Sequence, residues 1–235
     1  MKRKLLFPFF ALFLSLASQN IFAQNQTSVG AFMAMPVGKF KSTDLKEGGF
    51  AKNGWGIVLD TKSPLKNFPK GLSFYSHSTF QWNAMDTKTM EEKFTKELGY
   101  RTEISDSKYS PILTTVGPSY DFPVSDKVSF GVNGTAGIIF NNTKAFSVTV
   151  YDNNNVVLVK ELFNFDGNIA FAYSFGAQVK FVVIPDVFAI SLYGDYTGAK
   201  QKTDISSQSS STEAFQSLNY LNFGVKLVMT KPAGS

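Results

Sequence analysis

The sequence predicts an all-β protein: an eight-stranded antiparallel transmembrane up-and-down β-barrel with long outer loops. Three observations carry that expectation. Eight segments alternate apolar and polar residues with period two, the mark of strands that show different faces to different surroundings. The links between them alternate long and short, as in a barrel whose loops face outward on one side of a membrane and are trimmed to turns on the other. After the N-terminus no apolar run reaches the roughly 20 residues that a membrane-crossing helix needs. Any crossing is therefore made by strands.

The segments lie at about 27–35, 54–61, 72–83, 111–122, 128–140, 168–181, 187–196 and 219–229. The sixth is the clearest, with Phe171, Tyr173, Phe175, Ala177, Val179 and Phe181 on one face and Ala172, Ser174, Gly176, Gln178 and Lys180 on the other. The second sets Trp55, Ile57 and Leu59 against Gly56, Val58 and Asp60. The third sets Leu72, Phe74, Phe80 and Trp82 against Ser73, Tyr75, His77, Thr79 and Gln81. The fourth contains Pro118, which cannot donate to a ladder, so a bulge or irregular stretch is expected there. The fifth, seventh and eighth repeat the alternation, ending with Leu221, Phe223, Val225 and Leu227 opposite Tyr220, Asn222, Gly224 and Lys226.

The short links hold turn residues, Pro123-Val124-Ser125-Asp126-Lys127 and Ile184-Pro185-Asp186, and the link 62–71 is intermediate. The long links run over about 36–53, 84–110, 141–167 and 198–216. In the second of them Met90, Phe94 and Leu98 recur at helical spacing, with Asp86 or Thr87 as N-cap and Gly99 as stop, so a short amphipathic helix is expected. In the third, 146–151 and 156–162 flank Asp152-Asn153-Asn154-Asn155 as a hairpin extending strands five and six. The serine-rich fourth reads as low-complexity and mobile. An even strand number leaves both chain ends on the turn side, the periplasm.

Residues 1–23 read as a signal peptide: Lys2, Arg3 and Lys4, an apolar run from Leu5 to about Leu16, then Ala23 at the cleavage point. The formal net charge of +5 includes those three residues, so the basic balance gives no support to nucleic-acid binding. Cysteine is absent, which removes thiol catalysis, thiolate metal sites and disulfides. Phe is plentiful at 24, with 9 Tyr and 2 Trp, as suits a wall that meets lipid and its interfaces.

Several stretches carry a resemblance: Gly30-Ala31-Phe32 through Pro36-Val37-Gly38, Gly54-Trp55-Gly56-Ile57, the run from Val116 to Val124, and Asn222-Phe223-Gly224-Val225-Lys226-Leu227. The chain from residue 24 to 235 resembles the outer-membrane β-barrel domain family common in Bacteroidetes, itself similar to small OmpA-type barrels in strand number. The resemblance implies fold and location only, and no reaction. Many outer-membrane barrels end on an aromatic residue, whereas this chain continues past Met229 to Ser235.

Two constellations carry candidate chemistry. His77, the only histidine, faces the lumen two residues before Thr79, a spacing similar to the His and Ser of lipid A deacylases, but no acid lies nearby in sequence to orient its ring. A lone histidine also lacks the companions of a metal site. Asp60, Asp121, Lys180 and Lys226 each fall on a polar strand face near the periplasmic ends, where two acids and two bases in a narrow barrel are expected to pair as a structural ion-pair floor. A proton or ion path is the alternative. Eight strands leave an interior just wide enough for side chains to fill, so a general porin is not expected. The sequence thus points to a non-enzymatic structural or accessory outer-membrane barrel without cofactor, in contact with lipid and, through its outer loops, with another envelope protein or surface ligand. The rivals are a lipid-modifying enzyme, a small channel and a soluble lipocalin-like binder, the last requiring the apolar faces to point inward.

Overall fold

The computed structural model describes residues 25–65, 68–208 and 210–230. The signal peptide read over residues 1–23 and the tail 231–235 lie outside them. Among the described residues eleven strands form: β1 (Gln26–Pro36), β2 (Ala51–Pro64), β3 (Leu72–Met85), β4 (Arg101–Ile104), β5 (Lys108–Pro123), β6 (Val128–Thr143), β7 (Phe146–Tyr151), β8 (Val157–Gly167), β9 (Ala170–Ile184), β10 (Phe188–Ser206) and β11 (Ser211–Thr230). Eight of them close an antiparallel up-and-down ring in the order β1-β2-β3-β5-β6-β9-β10-β11, sealed by the β1–β11 pair from Gln26↔Thr230 to Pro36↔Tyr220. Ring closure removes every edge within the membrane, which is what a strand needs where no water can satisfy its backbone.

The alternation resolves into an apolar outside and a polar inside. Phe171, Phe175, Ile57, Phe223 and Val225 are exposed on the wall, while Asn222, Gln201, Thr115 and Lys226 are buried in the lumen. The lipocalin-like alternative needed the reverse and is overturned. On β11 the apolar wall from Leu221 to Met229 rises roughly 20 Å at the usual rise and tilt, close to the ~25 Å band of a transmembrane barrel. Trp55 and Trp82 stack on the wall at 4.7 Å, and Tyr173 and Tyr196 lie 6.2 Å apart toward the same end. At Pro118 the expected irregularity takes the form of a gap in the ladder and not of a bulge. The β5–β6 ladder passes from Val116↔Ala136 to Ser119↔Asn133 with its register unbroken but without pairs at Gly117 and Pro118, because proline has no N–H to donate to β6.

The loop end carries a folded head. Helix α1 (Thr87–Leu98) starts at Asp86, whose side chain accepts from the Thr89 N–H, and stops at Gly99 in the left-handed region. β7 and β8 do form a hairpin, but it does not extend strands five and six as one wall. β7 pairs with β4, and the last residues of β8 pair with the upper part of β10, Thr203↔Gly167 to Ser206↔Asn164. The head is thus a five-stranded sheet, β4-β7-β8-β10-β11. The fourth link, expected over about 198–216, is shortened to a tip at the serine-rich run, of which Ser209 lies outside the described residues. β10 and β11 stay paired out to Ser206↔Ser211, because the inner faces of β10 and β8 continue together over the apolar cluster of Phe146, Phe163 and Phe165.

Candidate functional site

The lumen is built in layers. At the turn end the four charged residues singled out above all point inward, but around two centres instead of one. In the deeper centre, Asp60 on β2 accepts from Lys226 Nζ of β11 at 2.6 Å, and its other oxygen lies 2.8 Å from His77 Nδ1 of β3. Tyr75 adds its hydroxyl 3.2 Å from Lys226 Nζ, and the lysine sits 3.8 Å over the ring of Tyr193. Lys226 and Asp60 are both 2 % exposed. In the second centre, at the mouth, Asp121 on β5 receives Lys62 Nζ at 2.8 Å and lies 3.6 Å from Lys180 Nζ of β9, which also donates to Gln26. A small cavity between the centres is bordered by Gln26, Lys62, Gln178 and Lys180.

Three members of this network escaped the sequence. Lys62 has the parity of Asp60 but sits one residue beyond the assigned end of segment two. Tyr75 is on the polar face of its strand but carries no charge to draw attention. His77 meets Asp60 only through the β2–β3 register, Asp60↔His77, which the length of the intermediate link does not reveal. The acid that the histidine lacked in sequence is therefore supplied across the ladder.

That pairing orients the ring, and Thr79, the hydroxyl that the spacing offered as its partner, is not hydrogen-bonded to it among the described residues. His77 is buried in the lumen, and Thr79 is buried on the same face. The wall hydroxyls Ser76 and Ser78 lie on the opposite face of β3, where Ser78 Oγ is 3.3 Å from Thr114 Oγ1. Lipid reaches the wall and the imidazole sits behind it. Among the described residues no group of three potential metal ligands forms.

Above the charged centres the lumen is lined by further polar side chains. Asn222 donates to Asp195 at 2.9 Å, Thr115 and Thr135 hydroxyls meet at 2.8 Å, and Asn141 donates to Gln216 at 3.3 Å. The loop end is closed by an aromatic seal. Phe40, fully buried in the first loop, sits edge-on to Tyr109 at 4.9 Å and to Tyr220 at 5.0 Å. Its loop is tied down by Tyr109 Oη donating to the Gly49 carbonyl at 2.6 Å, by Asp86 N–H donating to the Phe50 carbonyl at 2.7 Å, and by Lys93 Nζ donating to the Thr43 carbonyl at 2.6 Å. Outside the membrane span, the Lys52 ammonium bonded to Asp86, with the Thr89 hydroxyl and N–H behind it, holds that carboxyl below its ordinary value.

The head sheet has two edges, and they differ. The Thr102 and Ile104 N–H groups of β4 donate to α1 side chains, Thr95 Oγ1 at 3.0 Å and Glu91 Oε1 at 2.6 Å, so the helix covers that edge. Among the described residues nothing comparable covers β11 above its last rung with β1.

No family model matches the chain, and no curated protein matches it. Among solved structures it is similar to the outer-membrane protein OprG of Pseudomonas aeruginosa, at 8% identity over 88% of this chain and 96% of that one, with a TM-score of 0.52. A major outer-membrane protein of Thermus thermophilus aligns at 10% identity over 88% and 99% with a TM-score of 0.47. The attachment invasion locus protein Ail of Yersinia pestis aligns at 12% over 89% and 100% with a TM-score of 0.41. Ring, wall and the OprG likeness together give this chain the fold of a small outer-membrane β-barrel.

Proposed function

We propose that the chain is an integral barrel of a Gram-negative outer membrane, exported by the signal peptide over residues 1–23, with its turns and both ends of the barrel in the periplasm and its head outside the cell. It is a non-enzymatic accessory subunit that meets another envelope protein or surface ligand through the head. One observation carries this reading: the lumen is filled and closed at both ends while the loops, free to be short, are built into an ordered sheet and helix. A filled eight-strand interior leaves no route for solutes. Asp60, Asp121, Lys180 and Lys226, joined by Lys62 and His77, then serve as a structural floor, since removing any one strands its partner's charge in the interior.

The test uses a photo-cross-linking residue in place of Tyr151, on the outer face of the head, in intact cells. A discrete protein adduct that persists across growth conditions is expected. Adducts to lipid alone, with none to protein at Tyr151 or at Leu158, refute the accessory reading.

A further inference from the structure

The open edge of β11 has a built geometry. Val37 N–H donates to the Asn219 carbonyl at 3.0 Å as the last bond from the β1 side. At the two ends of the β10–β11 ribbon, Thr230 N–H donates to Val187 and Ser207 N–H to the Ser210 carbonyl. Because backbone groups alternate along a strand, the even-numbered residues of β11 face β10 and the odd-numbered ones face the β1 side. β1 stops at Pro36↔Tyr220, and Gly38, at φ 58°, turns the chain off the edge in a conformation that disfavours other residues. Above that point the N–H and C=O groups of Ser211, Glu213, Phe215 and Ser217 face outward with no hydrogen-bond partner among the described residues, over roughly 20 Å of strand. The opposite edge of the same sheet is covered by α1 side chains.

We propose that this edge is a docking site for an extended polypeptide segment, added to the head sheet as a sixth strand antiparallel to β11. The inference rests on the accessory reading above and names the partner's chemistry: about seven residues of extended backbone, whose rungs with Ser211, Glu213, Phe215 and Ser217 supply affinity and whose side chains supply selectivity. On the outer face the added strand meets the exposed ring of Phe215, which carries Lys200 Nζ 4.8 Å from its centroid, and the Lys202–Glu213 pair at 2.7 Å. An apolar residue beside Phe215 is favoured. A second copy of this chain does not fit. Two barrels inserted the same way run their β11 strands in the same direction, crossing at twice the usual tilt of about 40°, and no ladder forms at that angle.

The test exploits the alternation. Phe215→Pro removes one edge donor and leaves the β10 rungs intact, a position where proline is tolerated. Phe215→Ala keeps the donor and removes the ring. Full-length mature protein in phospholipid nanodiscs is panned against a library of random 12-residue peptides, and selected peptides are tested on the three proteins. Expected are peptides that lose at least tenfold in affinity on Phe215→Pro, lose less on Phe215→Ala, and slow amide exchange at Glu213, Phe215 and Ser217 but not at Thr212, Ala214 and Gln216. Peptides that bind wild type and Phe215→Pro equally overturn the site and leave the accessory reading standing. A library that yields no binder above empty nanodiscs also overturns it. Heat-modifiable gel mobility shows that each variant retains its barrel.

Discussion

The deeper charged centre makes a quantitative prediction. Removing one member of a buried ion pair costs about 3–5 kcal/mol, whereas replacing both by neutral groups of similar size is often close to neutral. The two single removals should differ here. In Lys226→Met, Asp60 keeps His77 Nδ1 at 2.8 Å and Ser28 Oγ at 3.5 Å, so the cost falls at the lower end, about 3 kcal/mol. In Asp60→Asn, Lys226 keeps only neutral partners, the amide oxygen that replaces the carboxylate, the Tyr75 hydroxyl at 3.2 Å and the Tyr193 ring at 3.8 Å, so the cost approaches ~5 kcal/mol. The double variant leaves no unpaired charge and should lose about 1–2 kcal/mol, well under the sum of the singles. Urea unfolding from phospholipid vesicles, read by the fluorescence of Trp55 and Trp82 on the wall, measures all four proteins. Additivity within about 0.5 kcal/mol would mean that the two side chains do not share a desolvated contact, and would refute the floor.

Further outcomes follow from other layers. Phe175→Lys places a charge on the mid-wall, where Phe175 is 61% exposed, and should destabilise insertion by about 2–4 kcal/mol, seen as lost folding yield into vesicles. Phe40→Ala empties the seal between Tyr109 and Tyr220 and should cost about 3–5 kcal/mol in the same unfolding assay. Asp86→Ala removes the cap of α1 and should cost ~1 kcal/mol, read as faster amide exchange at Thr89 and Met90. Because the Asp86 carboxyl is held below its ordinary value, this support is present at neutral pH and is lost on acidification through that lowered value, so exchange in wild-type α1 should accelerate only under clearly acid conditions. Glu91→Ala should expose the Ile104 N–H and quicken its exchange while leaving the ring strands unchanged.

The ring was legible because lipid and a filled lumen impose opposite demands on alternate residues. From Phe171 to Phe181 the period is written without interruption, and eight such runs with sorted links imply closure. Where a strand leaves the membrane the demand lapses. From Lys200 to Ser217 both faces are largely polar, so this stretch reads as a loose loop although β10 and β11 pair with each other out to Ser206↔Ser211. The hairpin of the third loop is visible in its turn, but its neighbours are not, since the rungs of β7 to β4 and of β8 to β10 join residues tens of positions apart. In the lumen, charge made Asp60, Asp121, Lys180 and Lys226 conspicuous. Their partition between two centres, and the recruitment of His77 and Lys62, depend on barrel stagger, which no single strand encodes.

The weaving of the head has a further consequence for how this protein tolerates change. β4, the β7–β8 hairpin and the top of β10 come from three different links and hold one another through backbone rungs, with α1 clasped to the first of them. An insertion into any of those stretches therefore displaces the others. Among the described residues two tips of the head stand outside the weave: the Asp152–Asn155 turn, closed on itself by Asp152 Oδ1, and the turn where Ser207 N–H donates to the Ser210 carbonyl. An epitope tag at Asn153–Asn154 should be displayed without loss of folding, whereas the same tag within 101–104 or 157–167 should unravel the head. Sequence drift among related barrels should follow the same map, sparing the woven stretches and concentrating on these two tips.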